Sequence, residues 1–119
     1  MHSYQDLKIW QKSMDLVEKT YVLMKSLPDD EKFGLISQIK RCSVSIPSNI
    51  SEGAGRNSKK EFKHFLSIAN GSTTELETQL LLTIRLKFIE KQDVEEILNL
   101  CNEIKKMNYA LQNSLTQTT

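Results

Sequence analysis

Glu61 and His64 have the spacing that comes nearest to a known chemistry. Glu-x-x-His puts a carboxylate and an imidazole on one helix face, and bundles that hold a di-iron centre use two such pairs with two further glutamates. Glu52 and Glu75 are the tempting glutamates here. The pair occurs once, however, and Ser58-Lys59-Lys60-Glu61 already gives Glu61 a structural task at the far end of a capping box. Coincidence is the stronger reading, and no metal or cofactor is expected. His2 stands away from any Ser, Cys or Asp at a diagnostic spacing. Gly53-Ala54-Gly55-Arg56 follows a helical pattern rather than a strand and lacks Gly-Lys-Ser/Thr, so it is not a phosphate loop. Cys42 and Cys101 lie on apolar stripes, without a CxxC or nearby histidine, and read as small buried hydrophobes. No enzyme is expected.

Charge and hydrogen bonding are better represented. Arg56, Lys59, Lys60, Lys63 and His64 cluster where a helix begins, and the exposed amides of a helix start also favour anions. Such a cluster could grip a phosphate backbone, which makes Arg56, Lys59, Lys60 and Lys63 the candidate nucleic-acid contacts. The alternative is a solvated helix start with ordinary lysines. The net charge of +1 argues against a strongly basic, dedicated nucleic-acid binder but leaves a local patch open. Gln38, Arg41, Ser45, Asn49 and Glu52 recur in steps of three and four, a polar stripe beside an apolar one. Ser72, Glu75 and Gln79 form a similar row further on. The two rows are expected to meet, with Arg41 and Glu75 as the charged pair, inside the bundle or at a subunit interface.

These residues need helices to position them. With 119 residues, 39% hydrophobic and 26% charged, the chain reads as one globular domain over 1–119. Four glycines and two prolines are too few for the turns of an all-β fold, so the class is all-α. Leu7, Trp10, Met14, Val17, Tyr21 and Met24 form one seam of a first helix over about 6–26, and Ile9, Leu16 and Leu23 a second. Asp6 or Ser3 is its expected cap. Pro28 ends it, and Asp29 or Asp30 should cap a second helix over about 30–54, kinked at Pro47 but continuous, because both of its stripes keep phase across the proline. Gly53, Gly55 and Asn57 should close that helix in the left-handed manner. Ser58 opens a third helix to about 88, and Asp93 caps a fourth over about 93–115, seamed by Val94, Ile97, Cys101, Ile104, Met107 and Leu111. Four long helices with short links make an antiparallel up-down-up-down bundle. There is no basic-then-apolar leader and no run long enough to span a bilayer, so no membrane association and a cytoplasmic setting are expected.

The run Asp6-Leu7-Lys8-Ile9-Trp10-Gln11, then Gln38, Arg41, Ser45-Ile46-Pro47, Asn49-Ile50, Glu52-Gly53, Ser58-Lys59-Lys60-Glu61 and Glu75-Leu76-Glu77, resembles the four-helix-bundle family of ribosomal-RNA intervening-sequence proteins. That family is related to the accessory variability proteins of diversity-generating retroelements. The resemblance covers nearly the whole chain. It implies a four-helix protomer assembled into a homopentamer with a central channel, in a bacterial cytoplasm. It also implies that Gln38, Arg41, Ser45, Asn49 and Glu52 tie the second helix to its neighbours or to the next subunit. The retroelement relatives are strongly basic and engage a reverse transcriptase and nucleic acid, whereas this chain carries +1. The expected function is a non-enzymatic, oligomeric helical module that binds RNA or a ribonucleoprotein partner. The competing expectation is a homopentameric protein–protein scaffold without a nucleic-acid role.

Overall fold

In the computed structural model, which describes residues 3–117, four α-helices follow one another: α1 (Lys8–Met24), α2 (Leu35–Ala54), α3 (Lys59–Arg85) and α4 (Lys91–Gln117). Short 3-10 turns at Tyr4–Asp6 and Asp29–Glu31 precede α1 and α2, and there is no strand among the described residues. Successive helices pack side by side, and α4 returns to α1, closing an elongated bundle of 48 × 23 × 20 Å. No helix is long and apolar enough to cross a membrane among the described residues.

The core follows the stripes. Ile39, Ile46 and Ile50 of α2 are fully buried, as are Leu66, Leu76 and Leu80 of α3. On α1 the second of the two seams, with Met24 from the first, is the one the core covers. Ile9, Leu16 and Leu23 face the core, while Met14 and Tyr21 are 40% and 39% exposed. Periodicity finds both stripes but cannot say which one the other three helices will cover. The buried line on α1 is completed by Ser13 and Thr20, whose hydroxyls donate to the carbonyls one turn back, Ile9 at 2.6 Å and Leu16 at 2.7 Å. Such small hydroxyls can face a core because they satisfy themselves on their own helix.

The helix boundaries correct several expectations. Asp29 and Asp30 belong to a separate turn, and α2 starts only after Gly34. Glu31 takes the capping task, its Oε1 accepting from the Leu35 amide at 3.3 Å. Ser3 accepts from the Gln5 amide at 3.2 Å and so caps the 3-10 turn rather than α1 itself. α2 runs unbroken through the buried Pro47. Its closure is not left-handed: Gly55 sits at φ −82°, and no described glycine has positive φ. The left-handed residue is Lys87, at φ 64°. It ends α3 in a Schellman turn, with the Phe88 amide donating to Thr83 O at 3.0 Å and the Lys87 amide to Ile84 O at 2.9 Å. Asp93 lies inside the first turn of α4 and reaches back, its Oδ2 accepting from the Glu90 amide at 3.1 Å. It is the rear half of a capping box, not the front.

Candidate interaction surfaces

Gly53 sets the geometry of the basic corner. A Cβ on Gly53 would lie 2.7 Å from Phe65 Cβ and 3.0 Å from Phe62 Cδ1, so its missing side chain lets the end of α2 press against the start of α3. Ser58 then caps α3, its Oγ accepting from the Glu61 amide at 3.1 Å, as the capping-box pattern predicts. Arg56 is drawn across this joint. Its Nε and Nη2 lie 3.1 and 2.9 Å from Glu52 Oε2, its Nη1 lies 3.6 Å from Glu61 Oε1, and its guanidinium carbon sits 4.8 Å from the Phe65 ring centre. Two carboxylates therefore already answer this arginine. Lys63 Nζ donates to Thr116 Oγ1, tying α3 to the end of α4. Lys59 and Lys60 are exposed on the first turn, and the His64 ring meets the edge of Phe65. The structure thus gathers Arg56, Lys59, Lys60 and Lys63 at one end of the bundle, interleaved with Glu52 and Glu61.

The polar stripe of α2 is placed differently from the expectation. Ser45 Oγ donates to Cys42 O at 2.7 Å and Asn49 Nδ2 to Ser45 O at 2.7 Å, so both turn back onto their own helix. Gln38 and Arg41 are exposed, and among the described residues no ion pair joins Arg41 to Glu75. The crossing from α2 to α3 is made instead by Cys42. Its Sγ donates to Ser72 O at 3.0 Å and lies 3.6 Å from Glu75 Oε1. Burial first, and the Glu75 carboxylate second, push its thiol up to about 12. Burial likewise pushes the Cys101 thiol up to about 12. Neither is an activated nucleophile. Gln79, in the same row as Glu75, is 7% exposed and its Oε1 has no hydrogen-bond partner.

A third surface joins the outer seam of α1 to the outer side of α2. Trp10, Met14 and Val17 line one wall of an open groove of about 290 Å³, and Val44, Pro47 and Ser51 the other. Tyr4 caps it, edge-on to Trp10 with ring centroids 5.3 Å apart. Further along, Lys40 Nζ sits 4.9 Å from the Tyr21 ring centre. Met14, Tyr21 and Val44 are each about two-fifths exposed, a continuous apolar strip along two adjacent helices. The strip was visible as a seam in the sequence. Its partner wall was not, because Val44 and Ser51 lie off the apolar stripe of α2.

The family described as 23S rRNA-intervening sequence protein matches residues 5–110 of this chain. Among solved structures, the chain is similar to a protein of unknown function from the S23 ribosomal protein family of Bacteroides thetaiotaomicron. The two are 31% identical with a TM-score of 0.81, over 87% of this chain and 97% of that one. Among curated proteins, none matches.

Proposed function

This chain belongs to the 23S rRNA-intervening sequence protein family, and from that premise we propose that it acts as a self-assembling helical scaffold. The observation that carries this reading is the exposed strip of Met14, Tyr21 and Val44 with the groove beneath it. An apolar strip along two helices is stabilised when a second helical surface covers it, and covering the remaining two-fifths of each of these side chains contributes about 1 kcal/mol. Copies of the chain are the partner that the family resemblance supplies, and five is the stoichiometry it implies. The exposed Gln38 and Arg41 give the outer side of α2 polar groups to meet a neighbouring copy. Light scattering on the purified protein tests this. A five-fold mass that falls to the protomer in a Met14→Glu, Val44→Glu variant supports the scaffold; a wild-type monomer refutes it.

A second reading, RNA binding, has its own observation: Lys59, Lys60, Lys63 and Arg56 share one corner at the start of α3. On this reading the assembly repeats that corner and multiplies weak phosphate contacts. Co-purified nucleic acid that high salt strips off, together with loss of binding in Lys59→Glu, Lys60→Glu, Lys63→Glu, supports it. Salt-independent binding, or none, removes it.

A further inference from the structure

A groove larger than the α1–α2 one lies elsewhere, between the second half of α1 and the first turns of α4. It holds about 870 Å³ and is lined by Asp15, Glu18, Lys19, Val22, Leu23 and Ser26 on one side and by Asp93, Glu96 and Ile97 on the other. Two exposed ion pairs cross between the walls: Lys12 Nζ to Glu103 at 3.0 Å and Lys19 Nζ to Glu96 at 2.7 Å. Four carboxylates against one ammonium make the lining strongly negative. The floor is apolar. Leu23 and Ile97 close it, and Val22, 64% exposed, stands at its edge with no core to fill.

We propose that this groove receives a cationic amphipathic helix from a partner protein. Charge complementarity selects the occupant. A segment with Lys or Arg on both flanks and apolar residues between them would set its cations against Asp15 and Glu18 on one wall and Asp93 and Glu96 on the other. Its apolar stripe would then cover Val22, Leu23 and Ile97, the arrangement by which amphipathic helices seat in grooves. Lys19 shows the preference of the place: the neighbouring Glu96 first, with Asp15 and Glu18 adding, holds its ammonium above the ordinary lysine range. The incoming segment is a longer version of what Lys19 does alone. The wall from Asp15 to Ser26 spans about three helical turns, enough for a segment of roughly 12 residues. This site is on a different face from the α1–α2 strip, so the two proposals fail independently.

The probe is a fluorescein-labelled peptide of lysine and leucine, about 18 residues long, with its leucines on one helical stripe. It is added to the protein in its own assembly state, and anisotropy is read. The expected result is saturable binding that weakens steeply with salt and drops at least about tenfold in an Asp15→Lys, Glu18→Lys variant. Val22→Ser, at an exposed position, should lower affinity several-fold without moving the melting temperature. A peptide of the same composition with scrambled order should bind far more weakly. Equal binding of the scrambled peptide, or of the charge-reversed protein, would overturn the proposal, as would no binding. If the peptide binds the Met14→Glu, Val44→Glu protomer but not the assembly, the groove is an interface between copies, and the proposal is equally overturned.

Discussion

Replacing Gly53 by alanine should unfold the protein more easily, and the amount can be worked from the joint it occupies. In a helix interior, alanine is intrinsically better than glycine by about 1 kcal/mol. Against that gain stands a Cβ placed 2.7 Å from Phe65 Cβ, 3.0 Å from Phe62 Cδ1 and 3.3 Å from Phe62 O. The Phe62 ring can swing away, but Phe65 Cβ and Phe62 O move only with the backbone of α3. Overpacking of this kind costs about 1–3 kcal/mol, and contact with backbone-fixed atoms places it in the upper half of that range. The net expectation is a loss of about 1–2 kcal/mol. With an unfolding entropy of ~2.1 cal/mol/K per residue, each kcal/mol moves the midpoint of a chain this long by about 4 °C, so Tm should fall by about 4–8 °C. Gly71 is the internal control. It lies in the middle of α3, is exposed, and a Cβ there meets nothing within 4 Å. Gly71→Ala should therefore raise Tm by about 4 °C, the propensity gain alone. The assay is thermal denaturation followed by far-ultraviolet circular dichroism, at one protein concentration because assembly makes Tm concentration-dependent. A Gly53→Ala protein that melts at or above the wild type would refute the close-approach argument.

Three other perturbations have defined outcomes. Lys87→Gly should stabilise by up to about 1 kcal/mol in urea titration, since a side chain in the left-handed region is replaced by the residue that tolerates it. Asn108, 2% exposed, donates to Leu66 O at 2.8 Å and accepts from Gln112 Nε2 at 2.6 Å, so Asn108→Ala should cost about 1–3 kcal/mol on the same measurement. Cys42 and Cys101 should be inert to a thiol reagent in the folded protein at pH 8 and react fully in denaturant. Their folded values of about 12 stand above the ordinary 9.0, so the folded state holds more protons above pH 9. Their contribution is intact below pH 9 and is lost as pH rises toward 12, which the urea midpoint across that window will show. A midpoint that rises with pH there would contradict the burial of both thiols.

Much of the fold was legible because four amphipathic stripes, one proline break and the Ser58 cap each point to the same answer. The continuous passage of α2 through Pro47 followed from stripe phase alone. What the sequence concealed shares one physical cause: it depends on which side of a helix its neighbours choose. The first helix offered two seams and periodicity could not rank them. Asn108 extends the line Val94, Ile97, Cys101 and Ile104 by one step, yet a search for apolar residues passes over it. Gly53 read as a helix terminator because its need is steric and arises from a different helix. Of the candidate sites, the basic corner was recognisable as a cluster, but the answering role of Glu52 toward Arg56 was not singled out. The acidic groove was missed altogether, since Asp15 and Glu18 meet Asp93 and Glu96 only when α4 folds back on α1.

The buried hydroxyls of α1 carry a further consequence. Ser13 and Thr20 spend their hydrogen bonds on their own helix. Buried polar contacts that cross between helices instead join α2 to α3 through Cys42 and α3 to α4 through Asn108. Among the described residues, α1 is held to the others by the shape of its apolar side, by the exposed pairs Lys12–Glu103 and Lys19–Glu96, and by the Lys40 ammonium over the half-exposed Tyr21 ring, and such exposed contacts are worth little in water. Shape with a few exposed contacts is a weaker latch against sliding or lifting than a buried hydrogen bond. The first helix is thus the part of the molecule that should open as a unit while the other three stay closed, and amide exchange should record it: the protons of α1 should be lost earlier than those of α3.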